Sequence, residues 1–133
     1  RMLEPGCYGL SNHLLDSPWP KLVKTRTALA RKLEALPTAG PVAATEDALV
    51  ASLLELLRDP APAPDPHLPA TGVSLEWERW LSPAFIRAPG YGTRCSSVVL
   101  RDRAGRTRLV EWTWDVDGAL RSRVEHEFGA CTA

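Results

Sequence analysis

Between residues 20 and 36, Leu22, Arg26, Leu29, Ala30, Leu33 and Leu36 recur at helical spacing. Lys24, Arg31, Lys32 and Glu34 take the other face. The pattern predicts an amphipathic helix. Asp16 or Ser17 caps its start, prolines sit in its first turn, and Pro37 stops it. After a loop of small residues over 38–44, Thr45 is expected to cap a second helix, with Glu46 and Asp47 favoured by the helix dipole. Leu49, Val50, Leu53, Leu54, Leu56 and Leu57 form its broad apolar face, and Asp59-Pro60 ends it.

The last third alternates with period two. Residues 95–101 read as one strand and 108–114 as the next, with Val110, Trp112 and Trp114 on one face against Leu109, Glu111 and Thr113. The turn over 102–105 ends in glycine, and Asp117-Gly118 marks a second turn. Residues 122–128 make a half-exposed edge strand. Trp112 and Trp114 are read as sheet core.

The stretches between these elements are less regular. Residues 7–10 suggest a short strand in which Gly9 allows close backbone approach. Pro60, Pro62, Pro64, Pro66 and Pro69 mark an extended linker, read as a solvated surface loop tolerant of length change rather than a docking motif. The heptapeptide LEWERWL over 75–81 suggests a helical turn with Trp77, Trp80 and Leu81 on one face, closed by Pro83. Residues 84–87 begin an apolar strand that runs into Ala88-Pro89-Gly90. Two helices followed by a C-terminal antiparallel β-meander form an α+β chain. A three-stranded sheet alone is marginal, which suggests further partners for it.

Composition narrows the chemistry. The 133 residues suit one domain or a piece of one, and 44% hydrophobic with 24% charged residues suits a soluble globular product. Sixteen basic residues balance sixteen acidic ones, so no general field recruits nucleic acid. Cys7, Cys95 and Cys131 are odd in number and far apart, which reads as free thiols in a reducing, cytoplasmic compartment, with organellar targeting left open. His13, His67 and His126 are equally scattered, and no zinc or other metal signature exists. His13 and His126 are read as solvent-facing or hydrogen-bonded rather than as metal or haem ligands. No apolar run approaches the roughly 20 residues a transmembrane helix needs.

Two polar segments carry the remaining chemistry. The first runs Pro5-Gly6-Cys7-Tyr8-Gly9-Leu10-Ser11-Asn12 and continues through Leu15-Asp16-Ser17-Pro18-Trp19-Pro20-Lys21. The second is Gly90-Tyr91-Gly92-Thr93-Arg94-Cys95. An amide at Asn12 can donate to an oxyanion or a ligand carbonyl, or can shape the turn before the helix; chemistry alone favours the turn. A guanidinium at Arg94 can hold a carboxylate, or can sit in a surface ion pair; chemistry alone favours the ion pair. Gly90 and Gly92 let the backbone come close to something, and Tyr91 lines that cleft or joins the core. Cys7 and Cys95 are read as small hydrophobes rather than nucleophiles. Trp19 is read as a packing staple at the helix start.

Together the two segments resemble the NRDE family, whose eukaryotic members include transport and Golgi organization proteins, and which is distantly similar to N-terminal-nucleophile hydrolases. The resemblance covers nearly the whole chain. It implies an αββα sandwich, of which residues 1–133 would be the C-terminal portion. The family's Asn-Arg-Asp-Glu motif and leading cysteine are not in these residues, so an N-terminal half or a complementary chain is an expected partner. The resemblance implies a ligand site built from Tyr8, Ser11, Asn12, Tyr91, Thr93 and Arg94, with Asn12 and Arg94 in supporting catalytic roles should the complete protein be an enzyme. It raises the weight of the functional readings of both residues. Asn12 and Arg94 are expected to meet at one hollow. The first functional expectation is binding and trafficking of haem or an amphipathic acyl-type molecule, with no resident cofactor. The alternative is a cysteine-dependent amide hydrolase whose nucleophile lies outside this chain, which would then be inactive by itself.

Overall fold

A computed structural model describes residues 2–36 and 42–129, with side chains from 45 onward in the second segment. Helix α1 spans Pro20–Glu34, α2 Val42–Leu57 and α3 Leu75–Leu81. Strands β1 (Arg87–Ala88) and β2 (Tyr91–Gly92) pair as a small antiparallel hairpin, while β3 (Cys95–Arg101), β4 (Thr107–Trp114) and β5 (Leu120–Phe128) form an antiparallel meander in the order β3-β4-β5. The α+β reading and the meander both hold.

The core lies between α2 and one face of the meander. Val50, Phe85, Val98, Val110, Trp112 and Trp114 are buried there, with Leu53, Leu54, Leu57 and Leu100 packed against them. Strict alternation along β4 buries Arg108, Val110, Trp112 and Trp114 on that face. Trp114 meets Phe85 edge-on with ring centroids 5.4 Å apart, carries the Arg58 guanidinium 4.6 Å above its ring, and donates its indole N–H to Ser96 Oγ at 3.1 Å. Arg108 is the one charged residue that β4 places on this face. Its guanidinium reaches Glu125 Oε1 and Asp47 Oδ1, each at 2.7 Å, and so ties the first turns of α2 to β5. Those two hydrogen bonds raise the pKa of Arg108 above its ordinary value, while Arg108 and then Arg123 hold the Glu125 carboxyl low. The outer face of the meander carries Val99, Val124 and Phe128, all exposed, so among the described residues the sheet is covered on one side only. Helix α1 packs against α2 and buries Leu22.

Several local expectations change. Residues 7–10 are not a strand. Gly9 does allow close approach, since a Cβ there would lie 2.4 Å from Leu22 Cδ2. Neither Asp16 nor Ser17 caps α1, which begins at Pro20 with Trp19 at its cap position and no side-chain cap bond. Asp16 instead closes the preceding loop, in the left-handed region at φ 58°. Helix α2 begins at Val42, so Thr45 lies inside it; residues 38–41 of the expected loop, Pro37 as the expected stop of the first helix, and Cys131 lie outside the described residues.

In α3 the buried residue is Glu78, while Trp77 and Trp80 are exposed. The expected aromatic face fails because the proline-rich segment folds back onto α3 and supplies donors in place of apolar surface. Thr71 gives both its N–H and its hydroxyl to Glu78 Oε1 at 2.6 Å, the Ala63 N–H bonds Ser82 Oγ at 2.9 Å, and Arg79 forks onto Asp65. That segment is thus a strapped loop with a short 3-10 turn at Asp65–His67, not a free linker. The apolar strand expected over 84–87 shrinks to the two residues of β1, because Phe85 turns inward to the core.

Candidate functional site

The loop before α1 is closed by a reciprocal pair of bonds. Asp16 N–H donates to the Gly9 carbonyl at 2.7 Å, and Gly9 N–H donates to Asp16 Oδ1 at 2.8 Å. Arg26 reaches the same carboxylate at 2.7 Å. The Gly9 N–H and then Arg26 hold the Asp16 carboxyl below its usual range. The loop so pinched presents Ser11, Asn12 and His13. Inside it, Ser17 gives its hydroxyl proton to the Leu14 carbonyl at 2.7 Å and lies 2.6 Å from His13 Nδ1. Ser17 has only that proton, so His13 Nδ1 must donate, which leaves Nε2 as the acceptor of the neutral ring. The imidazole sits 5.9 Å from the Trp19 ring, tilted by 30°.

This loop forms one wall of a hollow of about 590 Å³. Asn12, His13, Trp19 and Lys21 face Glu78, Leu81, Ile86 and Tyr91 across it, and residues 69–71 of the strapped loop close one side. The Asn12 side chain makes no hydrogen bond among the described residues. Lys21 donates from Nζ to the Leu81 carbonyl at 2.8 Å, and burial lowers its pKa because the charged ammonium is desolvated. The opposite wall rests on the β1–β2 hairpin. Ile86 N–H donates to Thr93 Oγ1, and Thr93 N–H returns to the Ile86 carbonyl, both at 2.9 Å. Tyr91, at the rim, meets Trp77 edge-on at 6.2 Å.

The six expected site residues divide among three neighbouring hollows. Asn12 and Tyr91 line the large one. Arg94 and Thr93 line a smaller one of about 170 Å³, which shares Ile86 and Tyr91 with the first. Tyr8 and Ser11 line a third, with Lys21 at its edge, and Tyr8 gives its hydroxyl to the Glu4 carbonyl. Asn12 and Arg94 therefore line different cavities, which adjoin along Ile86 and Tyr91. The Thr93 hydroxyl is occupied by the backbone of Ile86 and holds the wall in shape.

Residues 1–116 match the family model for Transport and Golgi organisation 2. The chain belongs to this family. The Transport and Golgi organization protein 2 homolog of Bos taurus is 40% identical over 118 residues, and the Homo sapiens homolog is 36% identical over 117. The Mus musculus homolog is 32% identical over 121 residues. Each match takes in 83% of this chain and 39% of the relative, so the chain spans about two fifths of the length of these relatives. Both polar segments and the strapped loop lie within the stretch that matches the Transport and Golgi organisation 2 family.

Sequence reasoning passed over Lys21 and Arg87. Lys21 carried a signal: it is a cation in the first turn of a helix, where the dipole disfavours positive charge, so some other duty is implied. Arg87 carried none, since a strand-end arginine is ordinary. Among the described residues no cluster of His, Cys, Asp and Glu could hold a metal, and no helix is long and apolar enough to cross a membrane.

Proposed function

We propose that this chain forms the ligand-holding wall of a trafficking protein that carries an amphipathic molecule, haem or an acyl-type acid. The observation behind this reading is the 590 Å³ hollow, in which apolar Trp19, Leu81, Ile86 and Tyr91 surround a few convergent polar groups at Asn12, His13 and Lys21. The half-buried Lys21 ammonium and the free Asn12 amide suit a carbonyl or carboxylate oxygen, while the aromatic rims suit its apolar body. The names of the relatives support transport as the setting of the function. The outer face of the meander, uncovered and bearing exposed Val99, Val124 and Phe128 among polar residues, supports a second sheet packed there in the complete protein, as the αββα reading requires.

The test is titration of the purified protein with haem, followed by its absorbance band, and with decanoate, followed by Trp19 fluorescence. Saturable binding of one of them, weakened about tenfold in Asn12→Ala or Lys21→Met, is expected. No response to either at stoichiometric ligand removes the reading.

A second reading rests on the same free amide. Asn12 could stabilise the tetrahedral oxyanion of an amide hydrolase whose attacking cysteine comes from outside the described residues. Covalent labelling of such a cysteine in the complete protein, read by mass spectrometry, would support it; turnover unchanged by Asn12→Ala would end it.

A further inference from the structure

The smaller hollow is lined by two exposed arginines whose side chains nothing in the fold consumes. Arg87 and Arg94 both line it, and neither makes a side-chain hydrogen bond or ion pair among the described residues. Of the arginines of the meander, Arg106, Arg108 and Arg123 are each paired with carboxylates, while Arg101, Arg103 and Arg121 are exposed and unpaired among the described residues but do not line this hollow. One carboxylate, Asp115, also faces the hollow. Its Oδ1 is occupied by the N–H groups of Asp117 at 2.9 Å and Ala119 at 2.8 Å, where it shapes the β4–β5 turn. The lining thus carries one net positive charge.

The turn itself makes room for Arg87. Gly118 has φ 77°, and a Cβ there would lie 3.2 Å from Arg87 Nε and 3.0 Å from Phe85 Cε1. The Arg87 side chain therefore runs across a bare glycine beside the core. On the other flank the hollow shares Ile86 and Tyr91 with the large apolar one.

We infer that Arg87 and Arg94 form a two-guanidinium clamp for a carboxylate whose apolar body lies over the Ile86–Tyr91 wall in the large hollow. A guanidinium fork matches the two oxygens of a carboxylate, and a singly charged head balances the net charge of the lining. A volume of about 170 Å³ admits a head group and little more. The proposal deepens the ligand-binding reading and rests on it for the tail alone; the head site stands by itself.

Titration of the isotopically labelled full chain tests it, with acetate as head alone, 1-decanol as tail alone and decanoate as both. The Nε–H signals of Arg87 and Arg94 should move with acetate and decanoate and stay in place with decanol. Arg87→Gln and Arg94→Gln should each weaken decanoate about tenfold and leave decanol unchanged. Arg→Lys at either position, which keeps the charge and loses the fork, should recover only part of that loss. Decanoate binding unchanged in both Gln variants overturns the clamp, as does acetate that moves neither arginine signal, even if decanol still binds. Arginine signals that move with acetate while decanol and decanoate leave Trp19 and Tyr91 untouched uphold the clamp and defeat the large-hollow reading instead.

Discussion

Asp16 and Arg26 meet at 2.7 Å, and the same Asp16 oxygen accepts the Gly9 N–H at 2.8 Å, so one carboxylate joins the loop bearing Asn12 to the second turn of α1. Asp16→Asn keeps an acceptor oxygen and tolerates the left-handed backbone at φ 58°, whereas Asp16→Ala keeps neither. Thermal denaturation should show a small loss for Asn and a loss of several degrees for Ala. The pH dependence has a fixed sign. The folded carboxyl titrates below its unfolded value of about 3.9, so its contribution is present above that pH and is lost as pH falls through the folded value. The advantage of wild type over Asp16→Asn should therefore be present at pH 7 and shrink steadily below about pH 4. An advantage that grows in acid would contradict the assignment.

Glu78 governs the far rim of the large hollow. It is buried, and its Oε1 takes both donors of Thr71, so it fastens the strapped loop to α3. Glu78→Ala leaves those donors without their acceptor and should cost about 1–3 kcal/mol in urea unfolding. Glu78→Gln retains an acceptor oxygen and should cost less. Limited proteolysis supplies a separate readout: cleavage over residues 60–72 should quicken in Glu78→Ala and stay slow in Glu78→Gln. Equal cleavage in wild type and Glu78→Ala would show that the strap is held elsewhere.

Trp114 concentrates the energetics of the core. It is 2% exposed, packs edge-on against Phe85, lies beneath Arg58 and donates to Ser96. Trp114→Ala should cost about 3–5 kcal/mol. Ser96→Ala removes only the acceptor and should cost about 1 kcal/mol. Both follow from urea denaturation monitored by circular dichroism, and a Ser96→Ala loss as large as that of Trp114→Ala would place the energy in the hydrogen bond rather than in packing.

These residues also show where the sequence speaks and where it falls silent. Trp112 and Trp114 were legible as core because strand alternation is a local rule, and β4 obeys it over its whole length. Asp16 was misread because the residue types that cap helices also close loops; the deciding partners, Gly9 and Arg26, lie seven positions before and ten after it. The aromatic face of α3 was misread because its true partner, Thr71, comes from outside the helix. At the candidate site, polar punctuation around glycines singled out Asn12 and Tyr91, and both line the large hollow. Their placement in a different hollow from Arg94 was not legible, since the Ile86–Thr93 bonds that set the hairpin depend on register, which no spacing in the sequence displays.

Gly118 makes the last prediction, and Gly72 supplies its control. Both have positive φ, at 77° and 93°, so alanine at either pays a backbone penalty of about 1–2 kcal/mol. At Gly72 a Cβ meets nothing within 4 Å, so that penalty is the whole effect. At Gly118 the Cβ also presses on Phe85, which is fixed in the core, and on Arg87, whose side chain can swing away. Gly118→Ala should therefore be the less stable of the two in urea unfolding. It should also weaken decanoate binding, because the swing removes one guanidinium from the smaller hollow, whereas Gly72→Ala should leave the head-group response of Arg87 and Arg94 as it is in wild type. Equal stability losses in the two variants, with decanoate affinity untouched in Gly118→Ala, would show that the Arg87 side chain does not depend on the bare glycine beneath it.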